Sequence, residues 1–430
     1  MVEWQLPAEL VAWTLALRQP LHGRRAWRLL PLLPGAPFAR GRRTVASWLR
    51  AAGLGADFRQ YYYFLGSLGP RAGLVAALLL RLSVRVLGPG DRLVFGLDDT
   101  PTKRAGPKVE GAGIHHNPTP GPADQKFLYG HVWVTRAWLY VRHKDVSPLP
   151  PRYRVAFRTK LEMAAAAVAW LADWLKSLGK TLWVVADGAY AKRPVLKAAK
   201  AAAVVVVSRL RRDAALWSVP VPPRPGAPKK RGPKPTYGKE RLSLAKRAGH
   251  RRGWQTADFT LYGERVTKTF KTFLATSRPA GGLIRVVLVR ERDGWAAFFC
   301  TDPNAPVAQI LEAVADRAAV EQDFHDLKEV HGAGPQQVRQ YWANVAVFHL
   351  DLWLHTLVEL RAWAKTQGRL CDRRDSPWDQ AERRPSHADR RNALRRLCVQ
   401  TEIREAGRRR PLTRKLRALC RSLLKLATWA

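Results

Sequence analysis

DRLVFGLDDT, residues 91–100, is a short apolar run that ends in two adjacent carboxylates. Apolar runs of this length bounded by polar residues read as buried strands. A second run, TLWVVADGAY at 181–190, closes in the same way on Asp187. Between them FLYGHVWV (127–134) and AWLYVRHK (137–144) read as two strands joined by Thr135–Arg136. RTKLEMAAAAVAWLADWLKSLG (158–179) is an Ala-rich helix stopped by Gly179. KRPVLKAAKAA (192–202) is a shorter helix, and AVVVVSRL (203–210) a β-branched strand. Strands alternating with helices predict an α/β fold, a mixed sheet with helices on both faces.

The flanks follow other patterns. Residues 1–90 read as helical; in GRRTVASWLRAAGL (41–54) Thr44 is an N-cap, Val45, Trp48 and Leu49 keep helical spacing, and Gly53 is a stop. A short helix with basic flanks suits DNA contact as well as it suits a small bundle. Residues 219–238 are dense in proline, glycine and cations, the composition of a linker or exposed arm. Segments 254–263, 265–277, 284–292 and 294–302 read as four antiparallel strands, and helical periodicity returns at Pro306. The expected division is 1–90 helical and DNA-binding, 91–210 the first part of the core, 211–303 linker and β-rich insertion, 304–345 the last core helix, and 346–430 a basic helical tail.

Composition narrows the partner. Lys and Arg total 74 against 34 Asp and Glu, a formal charge of +40. Such self-repulsion calls for a polyanion, and nucleic acid is the first candidate. Arg-rich codon usage accounts for part of the bias. The four cysteines form no C-x-x-C pair, which leaves zinc ribbons and redox motifs unsupported and suits a reduced cytosolic chain. The N-terminus reads poorly as a signal peptide, and no uninterrupted apolar run reaches the length of about 20 that spans a bilayer, so no membrane span is expected.

A third carboxylate lies in ADRAAVEQDFHDLKEVHGAG (315–334). Glu321 is about 40° round the helix from Arg317, and Lys328 about 20° from Glu321. The three share a stripe beside an apolar face of Val307, Ile310, Leu311, Val314, Phe324 and Leu327. The same spacing also describes a surface ion-pair stripe, and strand-end aspartates also cap turns. Three carboxylates gathered at one sheet edge suit hard divalent cations, and Mg²⁺ prefers a few carboxylates plus water and phosphate oxygens. With the positive charge, this predicts a phosphodiester substrate. Lys103, Arg104 and Lys328 are placed to hold phosphates, and Lys229, Lys230, Arg231 and Lys234 form a candidate minor-groove arm. His115 and His116 read as loop or phosphate contacts, and His325 as a helix-surface residue.

The order Asp99, Asp187, Glu321 on an interrupted sheet resembles the DDE transposases with an RNase H-like catalytic domain. The finer pattern resembles insertion-sequence transposases with a Tyr-x2-Arg-x3-Glu-x6-Lys helix. Arg317, Glu321 and Lys328 match that spacing, whereas Val314 stands at the Tyr position. LDDT and VVADGAY resemble the family's first and second Asp motifs. The resemblance favours Asp99 as the first ligand, with Asp98 as the alternative. It implies two Mg²⁺ ions (Mn²⁺ as a substitute) on Asp99, Asp187 and Glu321, cleavage at element ends, and joining of 3′-OH ends to target DNA. It further implies double-stranded DNA as inverted-repeat ends and target, a synaptic homodimer, and a place in the bacterial cytoplasm at the nucleoid. Trp254 and Trp295 are candidates to stack on a displaced base, with core packing as the other reading. Two alternatives stay open: an endonuclease without strand transfer, and a non-catalytic DNA-binding derivative.

Overall fold

The computed structural model describes residues 6–420 apart from 57, 89, 107, 118–125, 137–139, 144–158, 222–231, 364–369, 371–377, 381–382, 410–412 and 418. Six helices come first: α1 (Ala8–Leu17), α2 (Gly23–Ala26), α3 (Leu29–Phe38), α4 (Val45–Ala51), α5 (Phe58–Leu68) and α6 (Ala72–Leu87). The core opens with β1 (Arg92–Lys103), β2 (Gly113–His116), β3 (Phe127–Arg136) and β4 (Tyr140–His143). Then come α7 (Lys160–Leu175), β5 (Thr181–Ala186), α8 (Arg193–Ala201) and β6 (Val205–Leu210). Next are β7 (Leu216–Trp217), β8 (Arg241–Leu242), α9 (Leu244–Gly249), β9 (Gln255–Leu261), β10 (Glu264–Ser277), β11 (Gly282–Glu291) and β12 (Gly294–Cys300). Helices α10 (Val307–Asp326), α11 (Tyr341–Trp363) and α12 (His387–Arg409) complete the order.

The described strands form one twelve-stranded mixed sheet, ordered β2-β3-β1-β5-β6-β12-β11-β10-β7-β8, with β4 on β3 and β9 on β10. Strands β1, β5 and β6 are parallel neighbours and β3 is antiparallel to β1, an arrangement consistent with an RNase H-like fold. The four strands expected between 254 and 302 are all present and antiparallel. They are not a detached unit. Strand β12 pairs with β6 from Ala297↔Leu210 to Cys300↔Val207, so the insertion extends the core sheet. Strands β2, β7 and β8 were not anticipated; each has four residues or fewer, too short to show a period.

Side-chain alternation sorts the central strands between two helical layers. Leu93, Phe95 and Leu97 of β1 and Leu182, Val184 and Ala186 of β5 face α7, where Met163, Ala167, Val168 and Leu171 are buried. Trp183 and Val185 face the other way and pack with Ile310, Leu311 and Ala313 of α10. Both faces are covered, which explains why these strands read as continuous apolar runs. Helix α7 starts at a reciprocal cap. Thr159 Oγ1 accepts from the Glu162 backbone N–H (3.2 Å), and Glu162 Oε2 accepts from that of Thr159 (2.7 Å). At α4 the Thr44 side chain accepts from the Ser47 N–H, as its sequence predicts.

The N-terminal helices and α11 belong to the same core as the sheet. Phe64, Leu68, Leu79, Trp133, Phe348 and Trp353 are all in it, and the Trp133 and Phe348 rings stack at 4.3 Å. Helix α11 is buried almost throughout, its apolar residues spread round the helix with a few buried polar ones among them. Phe58–Leu87 is long and apolar enough to cross a membrane by length and composition alone, though arginines interrupt it. Here it is broken by a 3₁₀ turn at Gly69–Arg71, and 56% of its most apolar window is buried within the fold.

Helix α10 approaches β1 most closely at Gly96. A Cβ on Gly96 would lie 2.5 Å from Val320 Cγ2, and a β-branched residue in a helix has one strongly preferred rotamer, so it cannot swing away. Gly96→Ala is expected to lower stability by about 1–3 kcal/mol through overpacking. In the Gly96→Ala/Val320→Ala double variant the loss in urea denaturation should be smaller than the sum of the two single losses.

Candidate active site

Strand β1 does not end at its two carboxylates, where the sequence predicts its end, but runs on to Lys103 against β3, and alternation sends Asp98 and Asp99 to opposite faces. Asp98 follows Gly96 toward α10, where Arg317 Nη1 donates to its Oδ2 at 2.9 Å. The same guanidinium donates through Nη2 to Glu321 Oε1 at 3.2 Å, one turn further along the helix. Arg317 therefore bridges the first and third carboxylates. Asp187 follows directly on Ala186, the last residue of β5, which is in register with Leu97. It is near enough for its charge to act on Asp98.

Asp99 turns to the α7 face. Its Oδ2 accepts from Lys160 Nζ at 2.5 Å, and its Oδ1 accepts from the Tyr190 hydroxyl. The capping box at Thr159 places Lys160 at the first position of α7, beside this carboxylate. Burial, reinforced by the charge of Asp99, pushes the Tyr190 phenol well up, so it stays protonated and donates. Asp98, the alternative to Asp99 in the sequence, is the aspartate that shares a partner with Glu321. Adjacent residues of a strand cannot both face one helix.

The site is graded in exposure. The side chain of Asp98 is 19% exposed and that of Arg317 23%, whereas Glu321 is 68% exposed. Burial is the largest influence on Asp98 and lifts its carboxyl to about 6, with Asp99 and Asp187 adding to the rise. The Asp99 backbone N–H and the Arg317 guanidinium pull in the opposite direction.

The expected phosphate ligands have different fates. Lys103 and Lys234 are exposed, and Lys328 is half-buried on the π turn Leu327–His331 that follows α10. Arg104 points inward instead. Its Nε donates to His131 Nδ1 at 3.2 Å, and its Nη1 to the carbonyls of Gly334 (2.8 Å) and Gln336. It also feels the charge of Asp351, which is buried in α11. Arg104 is a strut of the core and not a surface cation. Lys229, Lys230 and Arg231 lie outside the described residues. His115 is buried, with Nε2 3.2 Å from the Gly130 carbonyl, and His116 is exposed. His325 is exposed, its Nδ1 3.5 Å from Asp326. Trp254 carries Lys271 and Arg290 over its ring, and Trp295 carries Arg212. Val314, at the position where a tyrosine was looked for, packs into the apolar cluster beneath α10.

The family of DDE superfamily endonucleases matches residues 16–272, more than half of the chain. The chain belongs to that family. The matched segment contains helices α2 to α6, both aspartates of β1, and Asp187; Glu321 lies beyond it, and the Tyr-Arg-Glu-Lys pattern gains no support from the match. Comparison with curated proteins gives no match. Membership makes this endonuclease a nuclease of DNA, in a family whose members generally use divalent metals.

Reading the sequence missed Lys160 and Tyr190, whose partner Asp99 is 61 and 91 residues away. It also missed Gln336, which ties α4 to the segment after α10: Oε1 accepts from Val45 N–H (3.1 Å) and Nε2 donates to the Arg43 carbonyl (2.9 Å). Only VVADGAY carried a hint, since Tyr190 follows Asp187 by one tight turn, with its N–H donating to the Asp187 carbonyl at 2.9 Å.

A cation beside a carboxylate favours its charged form. Arg317→Met should therefore raise the Asp98 pKa above its value of about 6 in metal-free protein, read from the ¹³C carboxyl shift of Asp98 across a pH titration.

Proposed function

We propose that this endonuclease is a DNA transposase, cutting the ends of an insertion sequence and joining the 3′-OH ends to target DNA, with Asp98, Asp187 and Glu321 as its catalytic carboxylates. The observation that carries the reading is the single guanidinium of Arg317 held between Asp98 of β1 and Glu321 of α10. It draws a carboxylate from outside the family match toward one inside it.

The donor set fits the implied metal. Carboxylate oxygens suit Mg²⁺, or Mn²⁺ in its place, and the Arg317 cation already meets the need of two clustered carboxylates for positive charge. Asp98, Asp187 and Glu321 would hold two such ions. When bound, an ion pair of this kind activates the attacking oxygen and stabilises the leaving oxygen of an in-line phosphoryl displacement. Arg317 keeps Asp98 and Glu321 facing one another across the strand–helix gap. Lys160 and Tyr190 hold Asp99 on the reverse face and so fix the stretch of β1 from which Asp98 projects. Lys328 and Lys103 supply ammonium groups to phosphates of the bound strand, with Lys234 in the arm. Residues 1–90 would take part in recognising the inverted-repeat ends, and a homodimer would hold two ends together. Because binding would neutralise several phosphates, it should weaken steeply with salt.

The assay is Mg²⁺-dependent nicking and strand transfer on a labelled terminal repeat. Asp98→Asn, Asp187→Asn and Glu321→Gln should each lower nicking by about 10²–10³-fold, the scale on which loss of an electrostatic catalytic group is felt, while filter binding of the DNA persists. Asp99→Asn should keep much more activity. Nicking without joined product would assign an endonuclease that does not transfer strands. Full nicking by Asp187→Asn would remove the assignment.

Protons and metal compete for Asp98. Its carboxyl is protonated below about 6 and charged above, so activity should rise with pH through that region. Raising Mg²⁺ should move the acidic limb to lower pH; a limb that ignores Mg²⁺ would place the titrating group elsewhere.

A further inference from the structure

Away from the carboxylates, behind the end of α10, lies a buried cluster that the proposed reaction does not use. His355 and Glu359 sit four residues apart on one face of α11, and His387 is the first residue of α12. Each offers one ligand atom, and those three atoms all lie within 4.8 Å of one another. The two histidines are 1% and 4% exposed. Tetrahedral coordination at the usual metal–nitrogen and metal–oxygen distances puts ligand atoms about 3.3 Å apart; the His355 and His387 rings stack at 3.9 Å with 14° between their planes, so an ion would turn one ring to bring both nitrogens onto it.

We propose that His355, Glu359 and His387 bind a divalent transition-metal ion of the Zn²⁺ class. Imidazole with one carboxylate suits Zn²⁺, whereas Mg²⁺ takes oxygen ligands. Metal-binding histidines and carboxylates need outer partners that fix their orientation, and His387 and Glu359 each have one. His387 Nε2 is 2.6 Å from His331 Nε2 on the π turn, while its Nδ1 is 2.5 Å from Glu359 Oε1. His355 Nε2 is 3.8 Å from Asp323 Oδ1. The second Glu359 oxygen accepts from Arg390. Asp323 and Glu359 supply two negative charges toward a dication, and Arg390 and Arg391 are the neighbouring cations. Asp323 lies two residues past Glu321 on α10. The ion would thus fasten α12 and the end of the catalytic helix to α11, a structural site chemically distinct from the carboxylate centre.

The test is metal content and stability of the full-length protein purified in Mg²⁺ buffer. About one Zn²⁺ per chain is expected, as for a structural site whose metal is coupled to folding. Asp187→Asn should retain it, whereas His355→Gln and Glu359→Gln should lose it. Chelation should lower the melting temperature, and Zn²⁺ but not Mg²⁺ should restore it. Co²⁺ added to the metal-free wild-type chain should give the intense visible bands of a low-coordinate site, a readout that stands if the variants do not fold. A folded wild-type chain with no Zn²⁺, no Co²⁺ bands and no thermal response to Zn²⁺ would overturn the proposal. Zn²⁺ retained at full stoichiometry by both ligand variants would overturn it equally.

Discussion

The Arg317 guanidinium is the contact on which the candidate centre depends. Asp98 and Glu321 are more than two hundred residues apart, on a strand and on a helix, and both are acidic. Without a cation between them the part-buried Asp98 would be protonated over a wider range, and the helix would gain nothing from facing that strand. One planar, forked cation solves this because it can donate to two carboxylates in fixed directions. The ion pair is not fully buried, so it is not a large source of stability. Its effect is on geometry: it sets which aspartate looks at α10.

That bridge works only because α10 can come close. The closest approach is at Gly96, two residues before Asp98, where a missing side chain admits Val320. The residue between them, Leu97, faces the opposite layer and anchors β1 in the core. Strand β1 thus alternates between holding the fold and building the site. The antiparallel β-strands of the insertion join the same sheet through β12, so α10 returns to the core directly from a strand edge. The distance in sequence between Asp187 and Glu321 is spent on a sheet extension that leaves the helix beside its partners.

The C-terminal half of the chain reads differently in three dimensions than in one. Helix α11 carries two polar clusters on an otherwise apolar surface. Asp351 faces Arg104, while His355 and Glu359 face His331 and His387. Buried polar groups need partners, and here the partners come from β1, from the turn after α10 and from α12. Arg104 shows the cost of reading a cation as a surface group: its next-door neighbour Lys103 is exposed, and alternation along the strand end turns Arg104 in.

Much of the molecule was legible along the chain. Apolar runs marked the strands, Thr44 and Gly179 bounded helices, and the spacing of Arg317, Glu321 and Lys328 marked one helical stripe, because these signals are local and periodic. The residues 127–134 and 254–302 were legible as strands but not as parts of one sheet, since pairing is a relation between distant segments. The sequence by itself determined the fold class, the positive charge and the set of candidate carboxylates. Only the tertiary structure decided that Asp98 and not Asp99 shares a partner with Glu321, that Arg104 is internal, and that three histidines and a glutamate meet beneath the end of α10. Two neighbouring aspartates are equivalent in a string of letters; a pleated strand clamped between two helical layers makes them opposites.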